Sequence, residues 1–381
     1  MQAVIAICTN IRMNTEKKNK LREGFTTGTC AAAAAGAAVE AYFGNPPNAV
    51  LVDLPDNNAN MSVDIKSIKS LQIKEGINIE AIVIKDAGDD PDITNGAQIG
   101  AQVTIVESKV NRITIKGGAG VGKVTRPGLP VNIGESAINP VPLKMIEHEI
   151  KKRLPQDKAF SVTAVIFVKN GEVLAGKTLN PRLGIVGGLS ILGTHGIVKP
   201  FSAKSYQDTI DICLRSARYD NQKICILSTG RKSEKLAQKM YEHFSERCFV
   251  QTADFFSYAL QKASDLGFEH IILSCFFGKL CKWAMNMAYT HAKSGLIDFK
   301  YLSKAAFEAG LSDEFCRFVE GANNSRQIFE SAHKEVPLFV DIIGEMAIGN
   351  AWATVNQKPM VTICLWDYHE KFYKKWEIKA V

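Results

Sequence analysis

Four carboxylates fall within seven residues in Asp86-Ala87-Gly88-Asp89-Asp90-Pro91-Asp92. Like charges this close raise the pKa of at least one carboxyl group when the loop is enclosed, and a raised carboxyl can work as a general base. The cluster can also hold a cation, although it lacks the twelve-residue spacing of a calcium loop. In open water it is an Asp/Pro turn. A second chemical signal lies upstream. Thr26-Thr27-Gly28-Thr29-Cys30 leads into five alanines, which predicts a helix from about Thr29 with almost no side chains on its first turns. Its N-terminal N–H groups would point into the Thr/Gly loop, a site for a carboxylate or phosphate. The same residues suit a capped helix packed closely through small side chains.

Gly117-Gly118-Ala119-Gly120-Val121-Gly122-Lys123 approaches a phosphate-binding loop. That loop needs Ser or Thr after the lysine and a helix behind it, whereas here Val124 follows and Pro127, Gly128 and Pro130 forbid the helix. Nucleotide hydrolysis is thereby disfavoured. What remains is a flexible, backbone-exposed loop carrying Lys123 and Arg126, suited to carboxylates or simply solvated. His195 and His291 are the histidines nearest candidate loops, and each also reads as a structural histidine.

A chain of 381 residues with 46% hydrophobic and 22% charged residues has material for two domains and a sizeable core. Its net charge of +7 fits a polyanionic small substrate, and the lack of a basic block with interleaved aromatics argues against nucleic acid. The nine cysteines include no Cys-x-x-Cys pair, which points to reduced thiols and to no protein metal site. The Met1–Met13 segment is too short for a membrane span and wrongly flanked for a signal peptide. A cytoplasmic location is expected, with no membrane partner.

These loops need elements to hold them. Residues 1–20 read as an extension. Ala49–Leu54, Met61–Ile65, Glu80–Lys85, Gln98–Val106, Arg112–Lys116 and Phe160–Val168 read as strands, with a hairpin expected at Asn170-Gly171. Asn139–Leu154 reads as a helix. From Gly184 to Gly196 the chain is glycine-rich, which places a domain boundary between about Gly187 and Phe201. Beyond it, strands at Lys223–Leu227, Cys248–Gln251 and His270–Ser274 alternate with helices, the last starting near Lys279 and running to His291. That rhythm predicts an α+β domain over 21–195 and an α/β domain with a parallel sheet over 196–381, parallel pairing being confined to the second. Ligands of such sheets sit at the carboxyl ends of the strands, here Ser228-Thr229-Gly230 and Ser274–Lys279.

Leu21–Ala38, Asp86–Gly96, Gly117–Met145, Gly184–Ser202, Leu227–Glu234 and Gly278–His291 together resemble, in order and spacing, the CbiD family. Its members are cobalt-precorrin-5B C1-methyltransferases of the oxygen-independent route to cobalamin. The resemblance spans about residues 21 to 340, and its strings Thr-Thr-Gly-Thr-Cys-Ala, Asp-Ala-Gly-Asp-Asp-Pro-Asp and Ile-Asn-Pro-Val-Pro are long and unusual. It implies S-adenosylmethionine as methyl donor and a polycarboxylate ring that brings its own cobalt. It also implies a Rossmann-like second domain. Lys123, Arg126 and Lys199, with Thr26, Thr27, Gly28 and Thr29, would then clamp the acetate and propionate arms. Asp86 or Asp89 would take a proton from the ring. Ser228, Thr229, Gly230, Gly278, Lys279 and His291 would hold the donor. The chain departs from the family after Leu280, with Cys281-Lys282-Trp283-Ala284 and later Ser294-Gly295-Leu296. The alternative is therefore a tetrapyrrole-binding relative without activity or with altered specificity.

Overall fold

The computed structural model describes residues 21–56, 59–73, 76–290 and 295–380. The expected extension over 1–20 and the candidate His291 lie outside them.

The alanine run forms α1 (Thr27–Tyr42), in which every residue from Thr27 to Val39 is buried. A helix without a polar face must be enclosed on all sides. Here β1 (Ser67–Ile73), β2 (Gly76–Ile84), β3 (Gln98–Ser108), β4 (Arg112–Gly117) and β5 (Ala159–Val168) form a sheet in the order β1-β2-β3-β5-β4. Their inward residues, among them Val83, Ile99, Val103 and Ala164, form one core with Ala31–Ala35 and with Ile146 and Ile150 of α2 (Pro140–Lys151). Strict alternation along β5 gives that core its depth, with Phe160, Val162, Ala164, Ile166 and Val168 buried.

Two local expectations are corrected. β5 is antiparallel to β3 but parallel to β4, so parallel pairing is not confined to the C-terminal half. The long connection through α2 supplies the crossover such a pairing needs. Asn170, at φ 56°, turns the chain into a short helix, Gly171–Ala175, rather than a hairpin. Leu174 N donates to Asn170 O at 3.1 Å, closing a helical turn where a second strand was expected.

A short helix, α3 (Asn180–Leu183), precedes the glycine-rich segment, and α4 (Ala203–Tyr219) follows it. Then follow β6 (Ile224–Ser228), α5 (Arg231–Met240), β7 (Phe249–Gln251), α6 (Phe256–Asp265), β8 (His270–Phe276) and α7 (Phe277–Ala284). Among the described residues three further helices precede α8 (Val336–Thr354), β9 (Met360–Trp366) and β10 (Phe372–Ile378). The strand order is β7-β6-β8-β9-β10, parallel except for β10. Ile226, Ile272 and Cys364 on one face meet α5, while Leu227, Leu273 and Ile363 on the other meet α4, α6, α7 and α8. From β6 the chain crosses to one side and from β8 to the other, so their carboxyl ends flank the switch in strand order.

Helix α8 is long and apolar enough to cross a membrane, with mean hydropathy 1.2. Phe339, Val340, Ile343, Ala347 and Ala351 are nonetheless buried in the C-terminal core. Arg182 of α3 reaches the edge of the sheet, its Nη1 donating to Phe249 O at 3.1 Å and to Glu234 Oε1 at 2.7 Å. The eight cysteines among the described residues are free and buried, and burial pushes the Cys213 and Cys248 thiols up to about 11.

Candidate functional site

The Thr/Gly start of α1 is a closed joint. Thr26 Oγ1 accepts from Thr29 N at 3.2 Å, and Gly28 N donates to Leu192 O at 3.0 Å. Thr27 Oγ1 accepts from Leu192 N at 2.8 Å, and Thr29 Oγ1 donates to Gly196 O at 2.7 Å. The chain's own Ser190–Gly196 strip therefore fills the place expected for an anion. Gly193, at φ 134°, allows this approach, since a Cβ there would meet Thr26 Oγ1 at 2.5 Å.

Beside the joint lies a cavity of about 280 Å³. Its walls come from distant parts of the chain: Thr26 and Thr27, Lys85 with Asp92 and Thr94, Leu179, Asn180 and Leu183, Leu189, Ser190 and Leu192, Val198, and Thr209 with Ile212 of α4. Three of the segments on which the family resemblance rests, Leu21–Ala38, Asp86–Gly96 and Gly184–Ser202, thus converge on one hollow. Lys85 was missed by sequence reasoning. It is buried at the end of β2, with 2% of its surface exposed, and its Nζ donates to Asp92 Oδ2 at 2.7 Å. Its signal was there to read, as the one cation directly preceding an acidic run. Asn180, Ser190 and Thr209 carried no such signal.

At Asp86 and Asp92 the acidic loop lowers the carboxyl group rather than raising it. The Arg22 guanidinium bonds Asp86, and Gly88 N donates to Asp86 Oδ1 at 2.8 Å, which together hold its carboxyl below the usual range. Burial pushes Asp92 up, but Lys85 and the Thr94 N–H and hydroxyl outweigh it, and the net shift is down. Asp89 Oδ2 accepts from Arg22 N at 2.6 Å, and Asp90 Oδ1 from Phe201 N at 3.1 Å. Each carboxylate found a donor, so mutual repulsion no longer governs the loop. The general base expected here at Asp86 has no raised carboxyl to offer.

The glycine loop is not flexible either. Gly120–Val121 runs parallel to Gly188–Leu189, and Lys123–Val124 pairs with Ile185–Val186. A Cβ on Gly120 would overlap Val168 O, and one on Gly188 would overlap Gly120 O. These glycines serve backbone packing. Lys123 and Lys199 are exposed, and Arg126 is half-exposed at 4.0 Å from Asp220 on the α4 side; none of the three lines the cavity. His195 Nδ1 lies 3.0 Å from Asp56 Oδ2 at the surface.

At the carboxyl ends of the parallel strands, Ser228 is buried and its Oγ has no hydrogen-bond partner. Gly230 caps α5 with no side chain to take its first N–H groups, and a Cβ on Gly230 would meet nothing within 4 Å. Thr229 Oγ1 lies 3.2 Å from Ser233 Oγ, which also accepts from Gly230 N at 3.2 Å. Lys279 is committed elsewhere: its Nζ pairs with Asp254 and donates to Thr290 Oγ1 at 2.9 Å. Gly278 faces Ser325 Oγ. The helix expected to reach His291 stops at Ala284, and Asn286 follows at φ 54°. Lys282 Nζ donates to Thr290 O at 2.8 Å, and burial lowers its pKa. Among the described residues, Asp53, His148 and Glu149 bring ligand atoms within 4.8 Å of one another. Lys152 Nζ sits 2.8 Å from Asp53 Oδ2 and Arg153 pairs with Glu149, so cations of the chain already serve this group.

Comparison with known proteins bears on this geometry. The profile of the CbiD family matches residues 14–200. The chain is 42% identical over 315 residues to the cobalt-precorrin-5B C(1)-methyltransferase of Geobacillus kaustophilus, covering 82% of this chain and 83% of that protein. It is 38% identical over 354 residues to the enzyme of that name from Thermus thermophilus, covering 93% of each. Among solved structures, the cobalamin biosynthesis protein CbiD from Archaeoglobus fulgidus matches at 30% identity and a TM-score of 0.38. That match covers 70% of this chain and 80% of that one.

Proposed function

The chain belongs to the CbiD family, and from that premise we propose that it methylates carbon 1 of cobalt-precorrin-5B with S-adenosylmethionine as donor. The product is cobalt-precorrin-6A of the anaerobic corrin pathway. The observation that carries the placement of the site is the convergence of Thr26-Thr27, Lys85–Thr94 and Leu189–Val198 on one cavity, at the approach of α4 to the N-terminal sheet. Units over 21–195 and 196–381, the second Rossmann-like, are part of this reading. The separate cores of the two sheets support it.

The donor supplies an electrophilic methyl group on a sulfonium, whose sulfur keeps the bonding electrons when the ring carbon takes the methyl. The protein's part is then positioning and electrostatics. The closed Thr26–Thr29 joint and the glycine-packed strands make a rigid floor. The exposed Lys123 and Lys199 and the half-exposed Arg126 are available to carboxylate arms on the ring's rim. Asp86 and Asp89 tie the Arg22 segment to the acidic loop and shape the wall.

Incubation of the purified protein with cobalt-precorrin-5B and S-adenosylmethionine tests the reading by mass spectrometry. Gain of one methyl group on the ring, with release of S-adenosylhomocysteine, is the expected result. Tight binding of the ring with no transfer would establish the non-catalytic relative instead.

A further inference from the structure

Resting on the donor named above, we propose that the 280 Å³ cavity is the pocket for the donor's nucleoside half, with the buried Lys85–Asp92 pair as its polar anchor. This places the nucleoside at the junction, away from the strand-end loops expected to hold it.

Size decides first. The volume lies at the lower edge of small-molecule pockets, roughly 300–1,000 Å³, which suits a nucleoside and excludes a tetrapyrrole ring. The lining decides next. Leu179, Leu183, Leu189, Leu192, Val198 and Ile212 offer an apolar slot for a flat heterocycle. At one end stands a pair with no net charge. Lys85 has three N–H donors and one hydrogen-bonded acceptor among the described residues, Asp92, and it lines the cavity. Asp92 stays ionised because Lys85 and Thr94 outweigh its burial, and its side chain keeps 27% exposure. A carboxylate in that position accepts from ribose hydroxyl groups, as an acidic residue does in dinucleotide sites.

Charge excludes the competing ligand. A carboxylate arm of the ring would put a second negative charge beside Asp92, on a single ammonium, in a largely aliphatic hollow. A neutral group with hydroxyls and ring nitrogens meets both the donor and the acceptor without that cost. The start of α1 cannot compete for it, since its Thr26, Gly28 and Thr29 N–H groups and its hydroxyls are already bonded to the Ser190–Gly196 strip or to one another.

The test uses isothermal titration with S-adenosylhomocysteine and with 5′-methylthioadenosine, which keeps the nucleoside and lacks the amino-acid end. Thr209 lines the cavity on the exposed side of α4, so Thr209→Trp fills the cavity without entering the core. It should weaken both ligands at least tenfold, while Thr209→Ser leaves both near wild type. Gly230→Val, at the strand ends, should leave the binding of 5′-methylthioadenosine unchanged. Loss of that binding in Gly230→Val with none in Thr209→Trp would overturn the inference and return the nucleoside to the strand ends, with the donor itself still standing. Wild-type protein that bound neither ligand would overturn the choice of donor, and this pocket with it.

Discussion

Two helix starts in this molecule carry nearly the same residues and end in opposite states. Thr26-Thr27-Gly28-Thr29 opens α1, and Ser228-Thr229-Gly230 opens α5. At the first, Thr26 Oγ1 and the Leu192 carbonyl take the leading N–H groups, and the hydroxyls are used by a segment some 165 residues away. At the second, the cap is glycine and offers no side chain to the first N–H groups, only the cap's own N–H being taken by Ser233 Oγ, and the Ser228 hydroxyl is left without a partner. Hydroxyl and glycine content does not say whether a helix terminus is open. What fills it is decided by whichever remote strand arrives, because a helix terminus always leaves N–H groups that something must satisfy.

Three substitutions break or sharpen that contrast, from the largest expected effect to the smallest. Lys85→Met strands the Asp92 carboxylate beside the first helix start and should cost about 3–5 kcal/mol in chemical denaturation. The sign with pH follows from the lowered Asp92 carboxyl. Its contribution is complete above the unfolded carboxyl value and is lost as pH falls through the lower folded value, so the acid limb of wild-type stability should flatten in Lys85→Met. A wild-type acid limb retained in the variant would show that the pair does not hold the wall.

Gly193→Ala comes next. Its Cβ would press on Thr26 at a positive φ, so the closed joint should lose roughly 2–4 kcal/mol by thermal or chemical unfolding. Gly230→Ala is the matched change at the second start and should move stability by less than about 0.5 kcal/mol. Its backbone is extended at φ 170°, which any residue adopts, and a Cβ there meets open space. Equal costs at Gly193 and Gly230 would mean that the two starts are not different after all.

Much was legible in the residues alone. The alanine run had to be an enclosed helix, the alternation of Phe160–Val168 had to be a half-buried strand, and the strand–helix rhythm after Lys223 had to make parallel pairs. Val124 and Pro127 were enough to disfavour a phosphate loop at Lys123. Those conclusions rest on periodicity and backbone chemistry, which act over a few residues. The family strings were also plain to see, since they are contiguous.

Tertiary structure alone decided the rest. Four aspartates in seven residues imply repulsion only until Arg22, Lys85 and backbone N–H groups arrive to pair them, and then the shift at Asp86 and Asp92 reverses. The glycine at 120 looked free to flex, yet it is where the chain touches Gly188 backbone to backbone. That Thr26, Asp92, Ser190 and Thr209 share one hollow is written in no local pattern. A carboxyl group's charge and a helix terminus's openness depend on whatever stands within a few ångströms, and in a folded chain those neighbours come from anywhere in the sequence.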